Sequence, residues 1–245
     1  MHWFDAVVAV PSIGIRFEPW VKPGADILRD LTSTLTAWSR HTDVDVQSET
    51  LLELSIRRSD GFQVKIDTRN VVVQFSYQPS LGPAGDMLPS LSYQTERKRY
   101  SDLLETCSTL MSQVLDNLDA RKRSPLTRIG VVMDCGLTRD EEPPGLKRFL
   151  GDSVAPWDQD RPLIMKAHVA AELVRNSEAQ TVDQCHHIVD YSFEQADVNL
   201  RLDWQRRFEP PQTKTRKLLK HSMAETCKGA VAYFNQFGEG TYGSS

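Results

Sequence analysis

The chain has 245 residues, of which 40% are apolar and 25% are charged, and its formal net charge is −4. These proportions are typical of a globular protein with a buried core and exclude an intrinsically disordered chain, and the slight excess of acids argues against binding nucleic acid or anionic membranes over the whole surface. The apolar N-terminal segment 1–10 has no basic start and meets Pro11 early, so we expect neither an export signal nor a membrane span and predict a cytoplasmic protein.

The first half of the sequence predicts a strand, a helix, three strands and a second helix. Alternating apolar residues from Ser12 to Phe17 indicate the first strand. A helix after Pro23 is indicated by apolar residues at helical spacing: Ile27 or Leu28, Leu31, Leu35 and Trp38. Three alternating segments separated by turn sequences then predict antiparallel neighbours: 52–56, 62–66 and 71–77. The clearest helical pattern in the chain follows at about 96–122.

The second half repeats this order of elements. We predict a strand over 126–135, a short helix over 144–150, and a final helix between Pro211 and Gly238. Three alternating segments lie between the two helices: 163–173, 187–193 and 198–204.

These patterns predict an α+β protein in which a β-α-β-β-β-α unit occurs twice. The two copies would span about 12–122 and 126–237, which divides the chain into halves 1–124 and 125–238 and a flexible tail 239–245. We expect one or two antiparallel sheets with long helices packed on one face.

A search for catalytic residues finds three weak candidates. The common nucleotide-binding, hydrolase and zinc-helix motifs are absent from the sequence. His186 and Asp190 would point to the same side of a strand and His187 to the other, and Asp134 begins an acid-rich stretch that runs to Asp160. Such groups bind metals or transfer protons, which is one hypothesis for Asp134, His186 and Asp190. The alternative is that the histidines are structural, with His187 near Asp203 or Trp204 on the next strand, and that the acid-rich stretch is a solvated loop.

A basic stretch over 201–221 is the candidate for nucleic-acid binding. Its net charge is +5, from seven basic residues against Asp203 and Glu209. The residues that we select are Arg206, Arg207, Lys214, Arg216 and Lys217. Cations beside Trp204 and Phe208 suit a phosphate backbone with stacked bases. The alternative is that they only solvate the junction between a strand and a helix.

A long loop rich in proline and glycine, 79–89, is the candidate for protein binding. The loop and its end carry four apolar residues with few charges nearby: Leu81, Met87, Leu88 and Leu91. Loops of this length are usually functional or packed as Ω-loops. If exposed, these side chains favour a protein contact, and if packed on the core they indicate none.

Four cysteines, at positions 107, 135, 185 and 227, form no close pair in the sequence. They fall on helical and strand patterns, where free buried thiols are common. We therefore predict four structural cysteines in a reducing compartment. Apart from the metal-binding hypothesis for Asp134, His186 and Asp190, we predict no metal and no cofactor.

The segment Thr127–Val132, together with Phe234 and Phe237 at the end of the last helix, resembles an uncharacterised, sporadically distributed prokaryotic family of similar length. The resemblance implies no known activity, but such a distribution is similar to that of genes on mobile elements, including those for phage defence. The repeated unit also resembles saddles of the TATA-binding-protein type in outline.

Together these observations favour a non-catalytic subunit or adaptor of a prokaryotic multi-component system, with phage defence as one setting. Its partner would be another protein or a second copy, bound through the loop 79–89 or the helix 96–122. A nucleic-acid-binding protein is the alternative, and a metal-dependent hydrolase is the third hypothesis.

Overall fold

The computed structural model describes residues 2–18, 33–34, 44–49, 53–77, 79–81, 91–93, 97–117, 124–154, 164–192 and 197–241. Its strands in chain order are β1 (Val8–Phe17), β2 (Val44–Glu49), β3 (Glu53–Arg58), β4 (Phe62–Asp67), β5 (Asn70–Phe75), β6 (Pro79–Leu81), β7 (Leu91–Tyr93), β8 (Leu126–Thr138), β9 (Ile164–Asn176), β10 (Thr181–Ser192) and β11 (Asp197–Gln212).

Nine of these strands form one antiparallel sheet in the order β2-β3-β4-β5-β1-β8-β11-β10-β9, and β6 and β7 form a separate pair. β1 and β8 are direct neighbours, so strands from both halves of the sequence lie in a single sheet. From the sequence, the two halves could form one sheet or two. In the structure, strands of both halves form one sheet.

Alternation along the strands divides the sheet into a buried face and an open face. In β1 every second residue from Ala9 to Phe17 is buried, and β8 shows the same period from Ile129 to Leu137. Ile13 lies opposite Val131, and because paired residues point to the same side, their apolar side chains combine across the strands. We call the other side the open face, since its residues on β1 and β8 are half-buried or exposed.

Three helices of the described part of the chain contact this sheet or each other: α1 (Tyr100–Asn117), α2 (Pro144–Val154) and α3 (Arg216–Glu239). α1 contacts β1 and β5, α3 contacts β8 and β11, and α2 contacts α3. The Thr215 side chain accepts a hydrogen bond from the Leu218 backbone N–H at the start of α3, and Gly240 ends this helix with a left-handed φ of 73°.

Several boundaries differ from those predicted. The helix expected at 96 begins at Tyr100, and the last helix begins at Arg216 because β11 continues through Pro210 and Pro211 to Gln212, which pairs with Leu126. The alternation of the sequence did not reveal β2, β6 and β7. The helix expected over 27–38 lies almost wholly outside the described residues.

Within the described residues, the helices are too short or too polar to cross a membrane.

Candidate functional site

The open face carries polar side chains and glycines across its central strands. Two of the cavities on this face are lined by site residues that the sequence predicted. One, of about 360 Å³, is lined by Arg16, Arg128, Arg207 and neighbouring polar residues. The other, of about 320 Å³, is lined partly by Asp134, Asp190 and Arg201. Polar groups converge in both cavities, as in small-molecule sites.

The three catalytic candidates are not brought together. Asp134 and Asp190 line the second cavity, whereas His186 lines the first. His186 and Asp190 are four residues apart on β10, which separates their Cα atoms by about 13 Å. Instead, His186 Nδ1 lies 3.0 Å from Nε2 of His168 on β9.

Asp134 and Asp190 each lie close to a basic side chain. Asp134 Oδ1 lies 3.5 Å from Arg201 Nε, and Asp190 Oδ2 accepts a hydrogen bond of 3.0 Å from Lys166 Nζ. Burial raises the pKa of Asp134, which Arg201 opposes and Asp203 reinforces. The described part of the chain contains no group of three or more histidine, cysteine, aspartate or glutamate side chains able to hold a metal ion. The geometry therefore gives the hydrolase hypothesis no support.

His187 occupies a buried position on the other face. It pairs with Leu202, not with Asp203 or Trp204 as the sequence suggested, because the register of β10 and β11 places Asp203 opposite His186. The ring is 3% exposed, its Nε2 lies 2.9 Å from the Tyr233 hydroxyl, and it stacks on the Tyr233 ring. Burial, with a smaller effect of His186, lowers the pKa of His187 to about 4. A neutral imidazole can accept the hydroxyl proton of Tyr233, which makes this a structural histidine.

We expect His187 to destabilise the protein in mild acid. In the unfolded chain His187 binds a proton below about pH 6.5, whereas in the folded protein its ring stays neutral until about pH 4. The stability that this difference gives above pH 6.5 is therefore lost as the pH falls towards 4. The loss from this group is about 3 kcal/mol. In urea unfolding at pH 7 and pH 4.5, His187→Gln should show a shallower pH dependence than the wild type. Equal slopes for the variant and the wild type would contradict this account.

The basic candidates are distributed over different surfaces, and most face acids. Arg206 binds Asp183 through two hydrogen bonds of 2.7 and 2.6 Å, and Arg207 Nη2 lies 2.6 Å from Glu209 Oε1. Lys214 lies over the Phe208 ring, and Arg216 approaches Asp116 at 3.5 Å. Lys217 is exposed on α3. Trp204 is buried, so it offers no base-stacking surface. The stretch 201–221 does not form one basic patch.

The structure describes two of the four residues proposed for protein binding at the loop 79–89. Leu81 and Leu91 pair across β6 and β7. Met87 and Leu88 are outside the described residues, so the predicted protein contact at this loop stays a prediction.

The four cysteines are free, and three of them are buried. Cys107 lies on α1, Cys227 on α3, and Cys135 and Cys185 on β8 and β10, as the patterns predicted. Burial raises the pKa of Cys227 to about 12 and the pKa values of the other three thiols still further. Thiols with so little thiolate at neutral pH are poor nucleophiles.

A feature that sequence reasoning missed is the outer edge of β9. Within the described residues β9 is the last strand of the sheet, and it contacts β10. Val169 is 43% exposed and Val174 is 55% exposed. The regular alternation over 163–173 was the visible signal for a long strand, but position at an edge depends on pairing that the sequence does not show.

A scan against protein-family models and a search of curated proteins found no match for this chain. The resemblance to the sporadically distributed prokaryotic family therefore stays a prediction.

Proposed function

We propose that this protein is a non-catalytic, protein-binding subunit, and that its binding surface is the outer edge of β9. The observation that supports this proposal is a long edge strand with exposed valines. An unpaired edge presents rows of backbone N–H and C=O groups that pair readily with another strand. Edges that avoid association usually carry charges, proline or bulges.

The centre of β9 lacks these protective features. From Ala167 to Ala171 the sequence reads Ala-His-Val-Ala-Ala, without proline, lysine or an acid. The one register irregularity between β9 and β10 lies at Asp183 and Gln184, opposite the C-terminal part of β9. The central segment is therefore regular and weakly charged, which favours pairing with another chain.

The partner that fits best is a second copy of this chain. In an antiparallel pair of two β9 strands with the twofold axis at Val169, this valine meets Val169 of the partner subunit. Ala167 then meets Ala171 of the partner subunit. On the open face, Lys166 lies opposite Glu172 of the partner subunit, and the twofold axis repeats each contact. Opposite charges and apolar pairs thus match in one register.

Such a pair would place the open faces of both subunits on the same side, because paired residues in antiparallel strands point to the same side of a sheet. The shared surface would be suited to an adaptor with two equivalent binding faces. A role in phage defence rests on the family resemblance alone.

We also propose the internal duplication that the sequence predicted, with helices covering one face of the sheet. It is supported by the sheet order, in which strands of the first half extend from β1 in one direction and strands of the second half from β8 in the other. β5 pairs with β1 in the first half as β11 pairs with β8 in the second; α3 follows β11 directly, whereas β6 and β7 lie between β5 and α1.

Light scattering during size-exclusion chromatography tests the proposed assembly. We expect the wild type to elute at twice 27.8 kDa. Val169→Lys places two like charges at the twofold axis and should yield a monomer. The matched control is Leu218→Lys, which makes the same change at a leucine that is 52% exposed on α3, and it should remain dimeric. A wild-type monomer, or equal behaviour of the two variants, would refute self-pairing through β9.

A cysteine variant tests the register. Opposed Cα atoms in antiparallel strands lie about 4.5–5.5 Å apart, within the range of a disulfide. Val169→Cys should therefore form a covalent dimer under mild oxidation, whereas Val174→Cys should not, because position 174 is distant from its own copy in this register. Cross-linking of Val174→Cys in preference to Val169→Cys would show that the register is wrong.

A further inference from the structure

Three arginines lie side by side across the middle of the sheet. Arg16 of β1 is paired with Arg128 of β8, and Arg128 is also paired with Arg207 of β11. Like charges directly opposite each other destabilise neighbouring strands. A row of three arginines therefore lowers the stability of the folded protein, which indicates that the row has a function.

The row also lies where regular pairing ends. The register between β1 and β8 shifts directly after Arg16, and the register between β11 and β8 shifts directly after Arg207. Bulges of this kind occur often beside binding sites, where they redirect side chains.

The three side chains line the 360 Å³ cavity together with Thr127, His186 and Gln205, and none of the described residues that line it carries a carboxylate. Arg128 Nη1 donates a hydrogen bond of 2.9 Å to Gln205 Oε1, and Gln205 Nε2 donates one of 2.8 Å to Asp203. Gln205 is 8% exposed, so this chain of hydrogen bonds fixes the central guanidinium. Preorganised arginine forks are well suited to oxyanions.

The positive charge of the row is only partly neutralised. Arg207 pairs with Glu209. For Arg16 and Arg128, no described residue places a carboxylate oxygen within 4.0 Å of the guanidinium. Burial lowers the pKa of Arg128, and the neighbouring Arg16 and Arg207 lower it further, whereas Asp203 opposes this effect. An anion in the cavity would relieve this repulsion.

A pair of glycines leaves room beside the row. Gly14 and Gly130 face each other on β1 and β8, one pair further along the strands' open face. A Cβ atom at Gly14 would meet its nearest neighbour, Val72, at 3.8 Å, and one at Gly130 would meet the Trp204 carbonyl at 3.7 Å. These are ordinary contacts, so packing does not require glycine here. Glycine in a strand often marks the close approach of a ligand.

Charge elsewhere on the face limits the size of the anion. Asp203 lies beside the row, and Asp134 and Asp190 lie further along the open face; these carboxylates would repel a continuous polyanion. Among the described residues that line the cavity there is no phenylalanine, tyrosine or tryptophan on which bases could stack. A single phosphate group fits better than a nucleic-acid backbone.

We propose that Arg16, Arg128 and Arg207 bind the phosphate group of a small phosphorylated molecule, such as a phosphomonoester or a nucleotide. The guanidinium of Arg128 is at the centre of the site, and Arg16 and Arg207 bind from the two sides. The adjoining glycines leave space for the rest of the molecule.

Calorimetric titration of the full chain with inorganic phosphate and with ATP, in chloride buffer, tests this site. We expect both probes to bind and Arg128→Gln to weaken binding at least tenfold. Lys65→Gln removes an exposed cation from β4 and should leave the affinity unchanged. Equal losses in the two variants, or no binding of either probe to the wild type, would overturn the proposal.

Two further measurements separate binding from a structural role. In phosphate-free buffer, Arg128→Gln should melt at the same temperature as the wild type or higher, because it relieves repulsion, and a lower Tm would indicate a structural arginine. Gly130→Val should fold, since its Cβ would meet only ordinary contacts, but it should lose ATP binding because the side chain fills the cleft. If a DNA duplex binds through the same arginines and the two phosphate probes do not, the site is for nucleic acid and the proposal is wrong.

Discussion

Replacing Phe234 by alanine is expected to reduce the free energy of unfolding by about 4 kcal/mol, the loss that follows from a cavity left by a buried aromatic ring. Phe234 of α3 is fully buried, and its ring contacts the Tyr100 ring of α1 edge to face, with centroids 6.4 Å apart. Its carbonyl accepts a hydrogen bond of 2.8 Å from the Trp3 indole. Phe4 in turn contacts the Tyr100 ring at 5.1 Å. Through its ring and its backbone carbonyl, Phe234 of α3 thus contacts both α1 and the N-terminal segment.

Urea unfolding followed by fluorescence measures this loss. Phe234→Leu keeps most of the volume and should cost much less than the alanine variant. Leu218→Ala, at an exposed position on the same helix, should change the free energy of unfolding by less than about 0.5 kcal/mol. If Phe234→Ala and Leu218→Ala had similar effects, the junction at Phe234 would not be part of the cooperative core.

The second large effect is expected at Asp60. The Arg58 side chain is 1% exposed, and its Nη2 donates a hydrogen bond of 2.5 Å to Asp60 Oδ2. Burial lowers the pKa of Arg58, and the charge of Asp60 opposes this effect. Asp60→Ala would remove a carboxylate from a buried cation, which is expected to cost about 3 kcal/mol of stability.

A double variant distinguishes loss of the ion pair from a general loss of packing. Arg58→Met with Asp60→Ala leaves no buried cation, so it should be more stable than Asp60→Ala alone. Asp116→Ala removes the exposed carboxylate that pairs with Lys220 and Arg216, and it should cost less than about 1 kcal/mol. A double variant less stable than Asp60→Ala would show that the arginine contributes mainly through packing.

The two functional proposals concern different parts of the molecule. Pairing through β9 involves the edge of the sheet, whereas the arginine row lies on β1, β8 and β11. A monomeric Val169→Lys variant should therefore still bind ATP, and Arg128→Gln should still form a dimer. In the proposed dimer both phosphate sites would lie on the same side, available to one extended partner.

Part of the site was accessible from sequence patterns. Alternation placed His186 and Asp190 on one side of a strand and His187 on the other, and the structure agrees. The pattern did not fix the register, so His187 was expected opposite Asp203 or Trp204 and lies opposite Leu202. A shift of the register by one residue changes which side chains lie opposite each other and on which face, because side chains alternate with a period of two.

The sequence by itself determined the α+β class, the core-facing positions of most strands, the long helices and the positions of the four cysteines, because these follow from periodicities of 2.0 and 3.6 residues within single segments. Only the tertiary structure decided that both halves share one sheet, that β9 is an edge, and that Arg16, Arg128 and Arg207 stand in a row. Those facts depend on which strands pair and in which register. Strand pairing and register are determined by contacts between segments far apart in the chain, so the residue pattern within one segment does not predict them.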